Sequence, residues 1–225
     1  MSKIQKCVVL VSGGMDSCVT AGLAIHEGFN PAFLHMNYGQ RTEDGEKKAF
    51  HDIAQYYSVD KTMEIDMSHL KKIGGSCLTD TDIHIPDANL DNTDVPISYV
   101  PFRNANLLSI AVSWAEVIGA QAIFIGAVEE DSSGYPDCRR TFYDAFEHAI
   151  AEGTRPETTI KILTPIIQMS KKEIILTGKR INAPLHLTWS CYKQNDVPCG
   201  GCDSCALRAR GFQQAGLEDP ILNNR

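Results

Sequence analysis

The sequence predicts an α/β protein, a doubly wound parallel sheet with a small cysteine-rich segment at its C-terminal end. Three observations lead there. Strand-like apolar runs alternate with helical stretches along nearly the whole chain, the pattern made by a parallel sheet flanked by helices. The first run, residues 7–11 (Cys-Val-Val-Leu-Val), is apolar throughout and breaks into a Gly-Gly turn, as a central strand buried on both faces does. Four cysteines, Cys191, Cys199, Cys202 and Cys205, crowd near the C-terminus as C-x7-C-x2-C-x2-C.

The elements follow in order. After strand 7–11, residues 16–27 form a helix that ends near Gly28, and 31–36 a second strand. A helix over 43–57 leads to a third strand at 61–66. Residues 107–118 are apolar enough for a packed helix, followed by a strand at 120–125. Residues 142–151 are helical up to Gly153, and 160–163 form a strand closed by Thr164-Pro165. Ser170-Lys-Lys-Glu173 is a capping box that opens a helix to about Arg180, because the serine and glutamate can each satisfy an orphan backbone N–H. A last helix runs from about Asp203 to Ala215 and stops at Gly216.

Residues 74–98 interrupt this rhythm with five aspartates, two prolines and no Lys or Arg. The stretch reads as a solvated irregular loop or, since long loops in compact domains are often functional, as an active-site lid.

The chain has 225 residues, which suits one α/β domain with a substantial core. Its division is expected at residues 1–185 for the sheet domain and 186–225 for the cysteine segment packed on it. Net charge is −7, which argues against a surface that grips a long nucleic acid, since phosphate neutralisation needs clustered Lys and Arg. A locally held nucleotide remains compatible. No apolar run approaches the ~20 residues of a membrane span, and no signal peptide precedes the first strand, so a cytoplasmic protein without membrane contact is expected. Thiols stay reduced there. Cys7, Cys18, Cys77 and Cys138 are then small core residues, and the clustered four are metal ligands. Four thiolates suit zinc or an iron–sulfur cluster.

Ser12-Gly-Gly-Met-Asp-Ser17 lies between a buried strand and a helix N-terminus. Backbone amides and the helix dipole favour an anion at such a place. The Gly-Lys-Ser/Thr ending of a Walker loop is missing. Asp16 is out of place in an anion site unless it meets a magnesium ion or fixes the loop.

The Ser12–Ser17 stretch resembles the pyrophosphate loop of the PP-loop ATP pyrophosphatases. Further motifs narrow the resemblance: Met36-Asn-Tyr-Gly-Gln-Arg41, Tyr99-Val-Pro-Phe-Arg-Asn104, Gly126-Ala-Val-Glu-Glu-Asp131, Ser133-Gly-Tyr-Pro-Asp-Cys-Arg139, Ser170-Lys-Lys-Glu173 and Thr188-Trp-Ser-Cys-Tyr192. With the cysteines in order behind them, they resemble the QueC family of queuosine biosynthesis from end to end. One departure is Phe102, where the family commonly has Gly; a narrowed or reshaped pocket beside Arg103 is the expected consequence, with no chemically active group lost.

The resemblance implies a Rossmann-like fold of the adenine nucleotide α-hydrolase type. It implies conversion of 7-carboxy-7-deazaguanine, ammonia and two ATP into 7-cyano-7-deazaguanine through adenylated intermediates. It further implies magnesium with ATP, one structural zinc and a homodimer. No glutaminase-like unit is recognisable, so free ammonia is the expected nitrogen source. ATP is expected at Val11, Ser12, Gly13, Gly14, Met15, Asp16 and Ser17, continuing through Cys18, Val19, Thr20 and Ala21, and at His35 and Met36. Arg103 and Asn104 are expected to clamp the α-phosphate or the substrate carboxylate. Asp131, Asp137 and Arg139 are expected around the substrate, with Asp137 reading the two adjacent N–H donors of the deazaguanine. Zinc is expected on Cys191, Cys199, Cys202 and Cys205. A tRNA-thiolating relative would need a basic RNA-binding surface and a sulfur-carrying cysteine; a non-catalytic zinc module would bind ATP without turnover.

Overall fold

The computed structural model describes residues 5–91, 94–129 and 134–222. Five parallel strands, β1 (Lys6–Leu10), β2 (Asn30–Asn37), β3 (Thr62–Asp66), β4 (Ala122–Phe124) and β5 (Lys161–Leu163), form one sheet in the order β3-β2-β1-β4-β5. The order reverses between β1 and β4, and ligands bind at such a switch point beyond the carboxyl ends of the strands.

Seven α-helices are described: α1 (Met15–His26), α2 (Glu43–Tyr56), α3 (His69–Ile73), α4 (Arg103–Ile118), α5 (Arg140–Gly153), α6 (Lys171–Arg180) and α7 (Asp203–Ala215). None is long and apolar enough to cross a membrane. The continuous apolar run of β1 is buried on both faces. On one side Val8 and Leu10 join Leu108, Ala111 and Ala115 of α4 and Tyr143 of α5. On the other, Cys7 and Val9 join Cys18 of α1, Phe50 of α2, Phe33 and Phe124. Each fully buried aromatic or aliphatic side chain contributes about 1.5–3 kcal/mol. Cys7, Cys18, Cys77 and Cys138 are all buried, and burial pushes the Cys7 and Cys18 thiols up to about 12. They are core residues, as expected.

A third cluster ties the C-terminal segment to this body: Phe212 of α7 packs with Ile174 and Ile175 of α6 and Met15 and Val19 of α1. The capping box is formed, with Ser170 Oγ accepting from Glu173 N and the Glu173 carboxylate accepting from Ser170 N. The short α3 and the 3₁₀ turns Pro136–Cys138 and Leu185–Leu187 carry too few residues to show a periodic pattern. β4 and β5 are shorter than the apolar runs that contain them.

Helix α4 begins at Arg103, one turn before the expected start. Its N-cap is Phe102 in the left-handed region, φ 55°, with no side-chain cap of its own. The missing acceptor comes from far along the chain: the Asp137 carboxylate accepts from Asn104 N at 2.9 Å.

Segment 74–98 holds no helix or strand among its described residues and about half of them are exposed, as expected of an irregular solvated loop, but it is anchored at several points. Cys77, Leu78, Thr79 and Ile85 are buried. Arg41 donates to the carbonyls of Asp80 and Ile83, both at 2.6 Å. Farther on, Ala88 N donates to Gly201 O, Asn89 N to Asp203 Oδ1, and Lys193 pairs with Asp87. None of the described residues of this segment lines the cavity described next. The lid expectation therefore gives way to a brace: the stretch straps the cysteine loop to the sheet domain.

Candidate active site

The chain leaves β1 through Ser12 into a turn with no spare room. Gly13 has φ +90°, and a Cβ there would lie 2.4 Å from the carbonyl oxygen of Glu46. Gly126, just after β4, meets the turn from below: a Cβ on it would lie 2.9 Å from the backbone of Asp16 and Ser17. Inside the turn Ser12 Oγ accepts from Gly14 N, Ser17 Oγ donates to Gly14 O, and the two hydroxyls lie 3.2 Å apart. This is a rigid cradle at a helix N-terminus, suited to an anion. Beside it, Lys171 Nζ pairs with Asp16 Oδ2 at 2.6 Å, while Asp16 Oδ1 is buried with no hydrogen-bond partner.

The cradle opens into a cavity of about 270 Å³ at the carboxyl ends of β1 and β4. Its lining includes Val11, Ser12, Gly14, Met15, Asp16 and Ser17, then Met36, Tyr38 and Glu46, then Arg103 and Asn104 at the start of α4. Lys171, Trp189, Ser190, Tyr192, Ser204 and Arg208 also line it, with apolar side chains such as Leu107 and Ile125 and the Cys138 thiol. Arg103 donates to the Tyr38 hydroxyl at 3.0 Å and stacks over its ring at 5.0 Å. The Glu46 carboxylate accepts from Thr42 Oγ1 at 2.8 Å and from Gln40 Nε2 at 3.1 Å. Burial pushes Glu46 up to about 7 against those two donors and the Arg103 charge.

The expected residues divide into groups. Gly13 faces Glu46 and packs rather than lines. Cys18, Val19, Thr20 and Ala21 are buried in α1 behind the cradle. His35 is buried, stacked on Phe50, with Nδ1 against Val11 O and Nε2 against Asn37 Oδ1; desolvation lowers its pKa. It braces the strand that carries Met36.

Asp137 is buried and does not line the cavity, because its carboxylate caps α4. Burial raises its pKa, opposed by the Asn104 N–H and the Arg103 charge. Asn104 Nδ2 is also committed, donating to Asp137 O and Cys138 Sγ. Arg139 is exposed outside the cavity. Asp131 lies outside the described residues. The Phe102 ring is 60% exposed and packs edge-on against Phe142, so it does not narrow the pocket beside Arg103.

Among the lining residues to which the sequence gave no role are Tyr38, Glu46, Lys171, Trp189 and Arg208. The first four lie within motifs quoted above or close behind them, and their place in those motifs was the available signal. Arg208 carried none.

The cysteine loop stands behind this wall. The four sulfurs lie within 4.8 Å of one another, compatible with a tetrahedral site whose sulfurs sit about 3.8 Å apart at usual zinc–thiolate lengths. Lys193 N and Cys199 N both donate to Cys191 Sγ at 3.3 Å. The neighbouring Cys202 and Cys205 thiols and these amides hold the Cys191 thiol far below its ordinary range, whereas Cys202 and Cys205 are pushed up by that same sharing. Thiols so crowded and so polarised are compatible with a metal ion.

Residues 6–216 match the family described as "Queuosine biosynthesis protein QueC". Proteins named 7-cyano-7-deazaguanine synthase from Chlorobaculum parvum and Chlorobium phaeobacteroides are each 58% identical over 217 residues, covering 96% of this chain and 96% of their own length. Among solved structures, a 4-thiouridine synthetase–RNA complex with bound ATP superposes with a TM-score of 0.51 at 19% identity, over 98% of this chain and 52% of that one. A predicted tRNA methyltransferase subunit from Methanocaldococcus jannaschii gives 0.51 at 15% identity, over 96% and 90%. At such identities these two show the fold, an α/β sheet of the same architecture. With a family match along nearly its whole length and relatives above half identity, the chain belongs to the QueC family.

Proposed function

We propose that this protein is an ATP-dependent carbon–nitrogen ligase that converts 7-carboxy-7-deazaguanine and ammonia into 7-cyano-7-deazaguanine. The observation that carries the reading is the Ser12–Ser17 cradle opening into the switch-point cavity, in a chain 58% identical end to end to proteins named for that product. The substrate carboxylate attacks the α-phosphorus of ATP and pyrophosphate leaves. Ammonia displaces AMP to give the amide. A second ATP activates the amide oxygen, and loss of AMP leaves the nitrile.

The chain's contribution is orientation and charge. Amides of the Gly14 turn and the Ser12 and Ser17 hydroxyls hold the β- and γ-phosphates. Arg103, fixed by Tyr38, faces the α-phosphate or the carboxylate; Asn104, whose donors are occupied, keeps Arg103 in place. Lys171 adds a cation beside Asp16. Magnesium with the triphosphate fits the orphan Asp16 Oδ1, and would offset phosphate charge there. Zinc fits the four thiolates and, with every position filled by cysteine, would be structural. The same reading includes a homodimer, which light scattering tests.

Incubation with the acid, ATP, magnesium and ammonium should yield the nitrile by mass spectrometry, with AMP and pyrophosphate in equal amounts. Stoichiometric ADP and orthophosphate would overturn the reading.

A further inference from the structure

The proposed chemistry leaves one task unassigned. When ammonia displaces AMP from the acyl adenylate, a C–N bond forms, a C–O bond breaks, AMP leaves with the oxygen and its electron pair, and one proton leaves nitrogen. When the adenylated amide collapses, the second AMP leaves in the same way and the nitrogen gives up its remaining two protons. All three hydrogens of ammonia must therefore find an acceptor.

Among the described residues that line the cavity, two carry carboxylates, Asp16 and Glu46. Asp16 belongs to the phosphate cradle and is paired with Lys171. Tyr38 and Tyr192 are held in their protonated forms by burial. Glu46 has neither restriction. It sits in the first turn of α2, whose backbone presses on Gly13. Its two oxygens are fixed by Thr42 and Gln40, and Gln40 is itself fixed through its Oε1 by Tyr38 N at 2.9 Å. Each carboxylate oxygen retains a second lone pair.

Resting on the function proposed above, we infer that Glu46 accepts one nitrogen proton in the amide-forming step and, after giving that proton to solvent, one in the nitrile-forming step, whose other proton leaves on the phosphate of the departing AMP.

The surroundings agree. Arg103 faces Glu46 from α4, Tyr38 from the end of β2 and Glu43 from its own helix. The 188–195 segment contributes Trp189 and Asn195 against Gly45, and neither titrates. Burial outweighs the Arg103 charge and brings the carboxyl up to about 7, where a general base works best near neutral pH.

Glu46→Gln keeps the shape and removes the base. In the proposed reaction its kcat for nitrile should fall about 10²–10³-fold, the usual scale of general-base loss. Acid-dependent exchange of pyrophosphate into ATP without ammonium moves no N–H proton, so it should stay within about threefold of the parent. At fixed free ammonia the acidic limb of the parent's kcat profile, near pH 7, should vanish in the variant. Glu46→Asp should recover part of the rate. Unchanged kcat in Glu46→Gln overturns the inference, as does equal loss of exchange and nitrile formation, or a raised KM for the acid with kcat intact. If Glu46→Gln does not fold, the same two assays on Glu46→Asp decide: slower nitrile formation with exchange intact supports the inference, and equal loss overturns it. A parent enzyme that makes no nitrile would instead sink the functional reading, and that is seen before any variant is made.

Discussion

Along one side of the cavity the chain runs from β1 into α1 with its backbone pressed against two neighbours, the carbonyl of Glu46 above Gly13 and Gly126 below Asp16 and Ser17. Along the other, residues 188–202 reach the cavity as an irregular stretch after one short 3₁₀ turn, and Ser204 and Arg208 reach it from the start of α7. They are held by long-range contacts: the strap from 87–89 and the buried Arg208, whose guanidinium serves Asp219, Thr188, Ser190 and Leu185 O, together with four clustered sulfurs that a metal ion would join. The first wall draws its rigidity from main-chain packing within regular structure. The second draws it from side chains brought together over long sequence separations. The two walls share one backbone hydrogen bond among the described residues, Trp189 N to Gly13 O at 2.9 Å, and Phe212 packs α7 on Met15 and Val19 of α1. Because the two walls are held by different means, phosphate binding and the opposite wall should loosen separately.

Removing the metal-site cross-link should have the largest effect. Thiolate–metal bonds supply folding energy directly. α7 keeps its packing on α6 and α1, so we expect Cys202→Ser or chelation to destabilise by ~3–5 kcal/mol rather than by the full amount seen in isolated metal domains. Hydrogen exchange should rise across 186–216 and stay protected in β1 and α1, with a raised KM for ATP through the lost contacts of Trp189 and Ser190. Equal deprotection of both walls would show that they form a single cooperative unit.

The converse perturbation is Gly13→Ala. The new methyl meets a backbone carbonyl, which cannot move aside as a flexible side chain would, and φ +90° is unfavourable for any L side chain. A loss of about 2–3 kcal/mol is expected, with pyrophosphate exchange abolished while the cysteine segment keeps its metal content and its protection. Near-normal exchange in this variant would mean that the cradle relaxes more easily than its packing implies.

The same contrast marks what the sequence made legible. Local signals were sufficient where local structure does the work: the Ser170–Glu173 capping box, the Gly216 stop and the Ser12–Ser17 turn all lie where expected. They failed where the partner is remote. The start of α4 was misplaced because its cap is a carboxylate 33 residues away. Asp137 has the residue type of a reading group, yet its carboxylate accepts from the backbone N–H of Asn104 at the start of α4. The aspartates of 74–98 suggested solvent, and Asp82, Asp87, Asp91 and Asp94 are exposed; what they could not show is that Cys77, Leu78 and Ile85 anchor the stretch and that it straps the cysteine loop. Arg208 could not be read at all, since its partners lie on two other stretches of the chain.

The smallest perturbation falls outside both walls, at Phe102. A bulky residue at φ 55° is unusual, since the left-handed region brings Cβ close to the carbonyl and costs about 1–2 kcal/mol. Phe102 recovers part of this through its edge-on contact with Phe142, centroids 6.1 Å apart, but its ring is mostly in solvent and buries little. Phe102→Gly removes the strain and the contact together, and adds backbone entropy to the unfolded chain, which opposes the gain. The expected net is a stabilisation of about 0.5 kcal/mol, small because three terms of similar size nearly cancel. Since the ring lies outside the cavity, kcat and KM should not change. An altered KM for the acid would show that Phe102 acts on the site through Arg103, the next residue, and would extend the substrate wall to the N-terminus of α4.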